Sequence, residues 1–424
     1  MLTGAPRGTK DILPDSITAW RYVEQVMRDV CAIFGYREIR TPMFEHTELF
    51  HRGIGDTTDV VEKEMYTFQD RGERSITLRP ENTASVVRAF VENKMYGDIA
   101  PAKLYYIGPM FRYDRPQAGR MRQFHQFGIE ALGAAAPTID AEVIMLALQV
   151  LKKLGLADLK LKINSVGCSK CRPVHRKKLQ DFLQPNFKKL CTDCQNRFER
   201  NPLRILDCKV PQCKELTVGA PKITDCLCSE CSEHFSKVQE LLTAAGVVYE
   251  LDSNLVRGLD YYTKTAFEIQ YSPLGAQSAI CGGGRYDGLV EEIGGPSTPG
   301  IGFAMGMERV LLALTKQNLL RSAAERIDVF AVVTNENNLP LAFKTISCLR
   351  AGGLSCDMDF LGRSMKAQMK QANRLQADNV IIFGEDEVAR GTVVLRNMTT
   401  SEQKEVNIDE LPIILNKTEV QKHE

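Results

Sequence analysis

The chain has 424 residues, of which 44% are hydrophobic and 25% charged, a composition that fits an ordinary soluble globular protein of about three domains. Its 54 Lys and Arg against 53 Asp and Glu exclude a uniformly basic nucleic-acid coat, so any polyanion must be met by local patches. No apolar run approaches the roughly 18 residues of a membrane span, and the opening MLTGAPRGTKDILPD lacks the apolar stretch of a secretion signal, so a cytoplasmic protein with no membrane partner is expected.

Pro14 and Asp15 open a helical pattern in which Ile17, Trp20, Val23, Met27, Val30, Cys31 and Phe34 recur until Gly35 stops it. YREIRTPMF reads as a short strand broken at Pro42. KLYYIGPMFRYD and RQFHQFGIEALG read as two strands joined by a long arginine-bearing hairpin. IDAEVIMLALQVLKKLG is a helix and LKLKINSVG a strand. Between Gly167 and about Val247 the texture turns to cysteine, lysine and helical fragments. Strand-like sequence resumes with RGLDYYTKTAFEIQY and SAICGGGRYDGLV, and PGIGFAMGMERVLLALTKQ reads as a glycine-rich strand entering a helix. From about Arg326, apolar strands (IDVFAVVT, NVIIFGE) alternate with helical LAFKTISCLRAGG and SMKAQMKQANRLQ, which suggests a small α/β domain. The polar tail after about Asn416 is expected to be unstructured.

In the hairpin, strand alternation puts Phe124, Gln126, Gly128 and Glu130 on one face, and Arg112 on the partner strand reaches toward it. An aromatic, an amide, bare backbone and a carboxylate suit a small polar ligand, although a solvated sheet face has the same pattern. Arginine forks onto phosphate or carboxylate oxygens in pairs. In RPENTA, Glu81 and Thr83 fit either a site or a helix cap. In VRGLDYY, Arg257 adjoins Gly258, and Tyr261 and Tyr262 are expected on opposite faces of a strand. GIGFAMGMER has neither dinucleotide-fingerprint nor phosphate-loop spacing; Gly302 and Gly306 would let a flat ring lie on the strand, with Arg309 beginning the next helix.

Nine of 13 cysteines lie between Cys168 and Cys231, a clustering that argues for reduced thiols or metal in a chain without an export signal. Cys168-x₂-Cys171, nineteen residues, then Cys191-x₂-Cys194 matches a zinc ribbon, so these four are the expected ligands of a structural zinc ion. Cys208, Cys213, Cys226, Cys228 and Cys231 would complete a second site or exchange into the first; reduced structural thiols are the alternative. Residues Cys168 to Lys209 also carry eleven Lys and Arg against four acids, a basic patch. A second is the stripe Arg363, Lys366, Lys370 and Arg374, which helical spacing would place on one face.

Taken together, these motifs resemble the histidyl-tRNA synthetase family of class II aminoacyl-tRNA synthetases over essentially the whole chain. GYREIRTPMFE is similar to class motif 1, FRYDRPQAGRMRQFHQFGIE to motif 2 and GIGFAMGMER to motif 3; VRGLDYYTKTAFE and AICGGGRYDGL resemble the two signatures peculiar to the histidine enzymes. The fold implied is mixed α/β: an antiparallel catalytic sheet flanked by helices, a helical cysteine-rich insertion and a C-terminal α/β anticodon-binding domain. The divisions implied are a catalytic core at 1–166 and 248–322, the insertion at 167–247 and the anticodon-binding domain at 326–424. The resemblance implies histidyl-adenylate formation from histidine and ATP with Mg²⁺, followed by transfer to tRNA(His), in a homodimer formed through motif 1.

By resemblance Arg112 bridges the α-phosphate and the histidine carboxylate, Arg257 lies opposite, and Arg309 meets the γ-phosphate. Asp114 and Arg120 join the ATP site and Phe124 stacks on adenine. Glu81, Thr83 and Gln126 hold the amino and carboxylate groups, while Glu130 and Tyr262, with Tyr261 nearby, read the imidazole. Arg115, Gln117 and the stripe Arg363, Lys366, Lys370 and Arg374 are implied to contact tRNA. Zinc is no general requirement of the family, so the resemblance does not supply it. Two other functions remain open at this level. One is a regulatory paralogue that binds histidine without charging tRNA, although such proteins typically lack the C-terminal domain. The other is a pure RNA-binding protein, which would not need Arg112, Glu130, Arg257 and Arg309 together.

Overall fold

A computed structural model describes residues 4–55, 58–275, 278–320 and 326–420, in two compact units, 1–321 and 322–424. In the first unit, the Pro14–Ile33 helix starts with Pro at its first position and buries Trp20, Val23, Met27, Val30 and Cys31. Gly35, at φ 76°, turns the chain out of it. Pro42 does more than interrupt a strand. Arg37–Glu38 joins the edge of the large sheet, whereas Phe44–His46 pairs with Ser75–Leu78 in a separate three-stranded sheet completed by Tyr66–Gln69.

The large sheet has eight strands. From Arg37–Glu38 it runs through Ala102–Phe111, Gln123–Leu132, Gly300–Gly306 and Ala279–Arg285, then Thr263–Tyr271, Leu159–Ser165 and Glu250–Leu251. Pairing is antiparallel except at the two outermost strands. Gly302 therefore lies opposite both Glu130 and Gly284, so residues far apart in sequence share one face. Phe127, Ile129, Phe267, Ile269, Ile301 and Phe303 line the other face, buried under the Pro14–Ile33 and Pro137–Lys153 helices. That core also takes Phe235, Val238 and Leu242 from the Ser229–Ala244 helix. An ion pair is sealed within it: Arg285 Nη2 lies 2.5 Å from Asp140 Oδ2, and His234 Nε2 lies 3.0 Å from Asp140 Oδ1.

Between Leu159–Ser165 and Ser229–Ala244 the chain builds a helical layer with its own small core, Leu179, Leu183, Leu190, Phe198, Ile205 and Leu206 among cysteines. The C-terminal unit has five strands, ordered Cys356–Met358, Val329–Val333, Asn379–Phe383, Thr392–Asn397 and Gln403–Asn407. The first three are parallel and the last two antiparallel additions. Its Leu411–Val420 helix is anchored in the core by Leu411 and Leu415, ahead of the polar tail expected after about Asn416. Residues 421–424 lie outside the described residues.

Candidate active site

The hairpin strands keep the expected alternation. Phe124 and Gln126 line a cleft of about 1070 Å³ on the open face of the sheet, while Phe127 and Ile129 point into the core. Arg112 continues the first strand; its Nε donates to the Pro80 carbonyl at 2.8 Å, and its guanidinium carbon lies 5.6 Å from the Phe124 ring centre. The loop beyond closes on itself, with Gln117 and Arg120 exchanging backbone hydrogen bonds, Gly119 at φ 71°, and Arg120 Nε 2.8 Å from Asp114 Oδ2. Asp114 and Arg120 line the cleft; Arg115 and Gln117 are exposed and do not.

One end of the cleft is a buried knot of hydroxyls and carboxylates. Glu81 accepts the backbone amides of Thr83 and Ala84, both at 2.9 Å, so it caps the Thr83–Glu92 helix and lines the cleft at once. Glu130 does not line the open space. It lies directly beneath, accepting Thr83 Oγ1 at 2.7 Å on one oxygen and Tyr286 OH at 2.5 Å on the other. Burial pushes its carboxyl up to about 8, against the opposing pull of the Tyr286 and Thr83 hydroxyls. Burial likewise raises Glu81 and holds Tyr106, Tyr261 and Tyr286 well above the ordinary phenol range.

Gly302 makes room for this knot, since a Cβ there would collide with the Glu130 carboxylate and the Ile129 carbonyl. Gly302 and Gly306 both line the cleft, Gly302 with the Glu130 carboxylate beside it where a Cβ would otherwise stand. Gly302→Ala is expected to abolish amino-acid-dependent activity and cost about 1–3 kcal/mol of stability through overpacking. Urea melts beside the activity assay check this, and a fully active, equally stable Ala variant would refute the packing.

Tyr261 and Tyr262 do not sit on a strand. They end a turn, and the strand begins at Thr263; the turn frees both from alternation. Their ring centres lie 4.7 Å apart and both line the cleft. From the same segment, Arg257 reaches over Gly282, where a side chain would collide with its guanidinium, and pairs with Glu268 at 3.1 Å. Arg309, third residue of the Met307–Lys316 helix, lines the opposite part of the cleft, its guanidinium drawn below the ordinary range by burial and by Arg120. Beside it, Glu308 accepts the His125 amide at 2.8 and 3.0 Å and faces His125 Nδ1 at 3.0 Å. Tyr106, Tyr286, Glu268 and Glu308 are site residues that the sequence reading does not single out. Tyr286 has a signal, standing just after the AICGGGR strand whose glycines open the site.

Elsewhere two expectations change. Cys168 and Cys171 gather with Cys228 and Cys231, whereas Cys191 and Cys194 gather with Cys208 and Cys213, so the expected quartet is divided between two groups. The chain doubles back, bringing the last pair of cysteines to the first. In the C-terminal unit, Lys366, Lys370 and Arg374 are exposed on the Met365–Arg374 helix, but Arg363 precedes it and pairs with Asp359 at 2.5 Å. The stripe therefore has three members, because the helix begins only after Ser364.

An antiparallel sheet with an arginine hairpin on one strand, a glycine-rich strand running into an arginine-bearing helix beside it, and no phosphate loop defines the catalytic unit of a class II aminoacyl-tRNA synthetase. A family model described as histidyl-tRNA synthetase matches residues 8–171 and 214–310, and one described as an anticodon binding domain matches residues 328–418. The chain is 56% identical to the histidine–tRNA ligase of Desulforamulus reducens, over 98% of this chain and 99% of that one. It is 57% identical to the histidine–tRNA ligase of Moorella thermoacetica, over 96% of each. The crystal structure of apo Staphylococcus aureus histidyl-tRNA synthetase superposes with a TM-score of 0.82 at 42% identity, covering 97% of this chain and 99% of the other. The chain belongs to the histidyl-tRNA synthetase family.

Proposed function

We propose that the chain is a histidine–tRNA ligase with ATP, histidine and tRNA(His) as substrates. The observation that carries this reading is the polar knot of Glu81, Thr83, Glu130, Tyr261, Tyr262 and Tyr286 at one end of a cleft otherwise walled by Arg112, Arg120, Arg257 and Arg309. An imidazole offers one donor and one acceptor, which a carboxylate and a phenol satisfy together. An amino acid without those atoms would leave buried groups unpaired, enough to reject it by roughly 10⁴-fold without editing.

In the first step a histidine carboxylate oxygen attacks the α-phosphorus and the bond to the β-phosphate oxygen breaks, releasing pyrophosphate. Arg112 bridges the attacking carboxylate and the α-phosphate, Arg257 faces the same phosphate from the other side, and Arg309, with Arg120 and Asp114 near it, holds the outer phosphates. Phe124 stacks on adenine; Gln126, Thr83 and Glu81 fix the amino and carboxylate groups. In the second step a terminal ribose hydroxyl of tRNA attacks the adenylate carbonyl and AMP leaves. No covalent enzyme intermediate is involved, so catalysis rests on alignment and on charge stabilisation. Four carboxylates line the cleft, Glu81, Asp114, Glu268 and Glu308. With Glu81 capping a helix, Asp114 paired with Arg120 and Glu268 with Arg257, this is a sparse oxygen set that fits Mg²⁺ held mainly by phosphates. Bound there, Mg²⁺ would neutralise phosphate oxygens. Pyrophosphate exchange against all twenty amino acids tests the reading: a response to histidine alone supports it, and any other pattern rejects it.

The organisation proposed is a catalytic core at 1–166 and 248–322, a cysteine-rich insertion at 167–247 and an anticodon-binding domain at 326–424. Arg115 and Gln117 at the hairpin tip and Arg363, Lys366, Lys370 and Arg374 are assigned to tRNA. Replacing Lys366, Lys370 and Arg374 together with Ala should flatten the slope of log affinity against log salt by about one for each phosphate no longer engaged. Filter binding from low to high salt reads this; an unchanged slope removes the helix from the tRNA surface. A homodimer and a cytoplasmic location complete the proposal. Light scattering at micromolar concentration tests the dimer. Among the described residues no helix is long and apolar enough to cross a membrane.

A further inference from the structure

The cleft uses none of the cysteines between Cys168 and Cys231, yet eight of those nine gather into two groups of four whose sulfurs all lie within 4.8 Å of one another. The groups are nested. The outer one takes Cys168 and Cys171, at the start of the Cys171–Leu183 helix, and Cys228 and Cys231, at the start of Ser229–Ala244. The inner one takes Cys191 and Cys194, around the start of Thr192–Arg200, with Cys208 and Cys213.

The spacing of the sulfurs decides what they are for. Cys168 Sγ lies 3.6 Å from Cys171 Sγ and 3.9 Å from Cys228 Sγ, and Cys191 Sγ lies 3.9 Å from Cys208 Sγ. A disulfide needs about 2.05 Å. Four sulfurs about 2.3 Å from one zinc ion stand about 3.8 Å apart at the vertices of a tetrahedron. Backbone amides also point at the sulfurs: Lys170 N–H donates to Cys168 at 3.4 Å, Cys228 N–H to Cys171 at 3.1 Å and Cys191 N–H to Cys213 at 3.2 Å. Such donors offset thiolate charge around a metal. Gly167, at φ 65°, keeps the outer group compact, since a Cβ there would lie 2.7 Å from Cys171 Cβ. The donor set is wholly soft sulfur, with no histidine and no carboxylate, and all four positions are filled by protein, as in structural rather than catalytic sites.

We propose that the insertion binds two structural zinc ions, the outer one joining the beginnings of its first and last helices and the inner one organising its middle. Each ion takes four thiolates, and four protons leave to solvent. The insertion's own core is small and includes Cys194, Cys208 and Cys213, so metal ligation supplies cohesion that apolar burial does not. The inner ion also sets a latch. The Thr192–Arg200 helix and the turn after it present Arg197 and Arg204, each 2.9 Å from Asp59 Oδ2, and Arg200, 2.7 Å from Glu62. Asn201 Nδ2 donates to Asp260 Oδ1 at 2.8 Å, immediately before Tyr261. The two-metal assignment stands whatever the substrate; only the latch's bearing on histidine rests on the ligase reading.

Elemental analysis of full-length protein, purified without chelators, should find two zinc ions per chain. C228S/C231S and C208S/C213S should each lose one. Native-state alkylation of the unaltered chain, which avoids any misfolding of variants, should find the eight clustered thiols protected until a mercurial expels the metal, while Cys31 and Cys281 stay shielded by burial before and after. One zinc or fewer per chain, loss of both ions in either double variant, iron in place of zinc, or eight unprotected thiols would each overturn the proposal. For the latch, amide exchange across residues 58–64 should rise in C208S/C213S and in Asp59→Asn, the latter with both ions bound. Unchanged exchange in either removes the latch. Because metal content is read without substrates, failure of the ligase reading in pyrophosphate exchange leaves it intact.

Discussion

Glu130→Gln is expected to lower histidine-dependent pyrophosphate exchange by roughly 10³–10⁴-fold. Glu130 takes one hydroxyl on each oxygen, from Thr83 and from Tyr286. An amide of the same shape has only one acceptor, so one hydroxyl would face an N–H group, and the imidazole N–H would lose its carboxylate. The pH profile separates this from simple misfolding. With its carboxyl pushed up to about 8 by burial, the acceptor form grows as pH rises toward that value. kcat/KM for histidine should therefore climb through about pH 8 and level off above it, and the Gln variant should lack that limb. Stability has the opposite sign. A carboxyl raised above its unfolded value costs folding energy as pH rises from the ordinary carboxylate range to about 8, so the Glu130→Gln variant should not have a lower Tm at neutral pH. Exchange within tenfold of the parent chain, or loss of activity accompanied by a falling Tm, would refute the role.

Arg257→Ala should slow single-turnover adenylate formation by about 10²–10³-fold while leaving the KM for ATP within a few-fold. The guanidinium is set in place before substrate arrives, by Glu268 on one side and the bare backbone of Gly282 beneath. Its Nε is buried and has no partner among the described residues, a donor available for an oxygen whose charge grows during transfer. Interactions that strengthen only in the transition state change kcat rather than KM. Arg257→Lys keeps the charge but not the fork, and should recover only part of the rate. A large rise in KM for ATP at an unchanged rate would instead make Arg257 a ground-state anchor.

Much of the site is legible in the sequence because it rests on short-range rules. Period-two alternation alone puts Phe124, Gln126 and Glu130 on one face, and the structure keeps them there. What alternation cannot report is depth, and so Glu130 emerges beneath the cleft rather than on its wall. Tyr261 and Tyr262 mislead because aromatic, β-favouring residues run unbroken into a strand, although the backbone is still turning at Tyr261. The cysteines mislead for a different reason: spacing along the chain matches one ribbon, but nesting is a property of the path between the pairs. Short strands such as Cys356–Met358 and Gln403–Asn407 carry too little apolar signal to be seen before their neighbours are known.

The bond between Glu308 and His125 spans 183 residues of sequence and ties the strand bearing Phe124 to the helix bearing Arg309. If Phe124 seats the base and Arg309 the last phosphate, one carboxylate fixes the length of nucleotide that the protein can grip at both ends. Choice of triphosphate would then be a matter of measurement, set by a fixed gauge rather than by the strength of either grip.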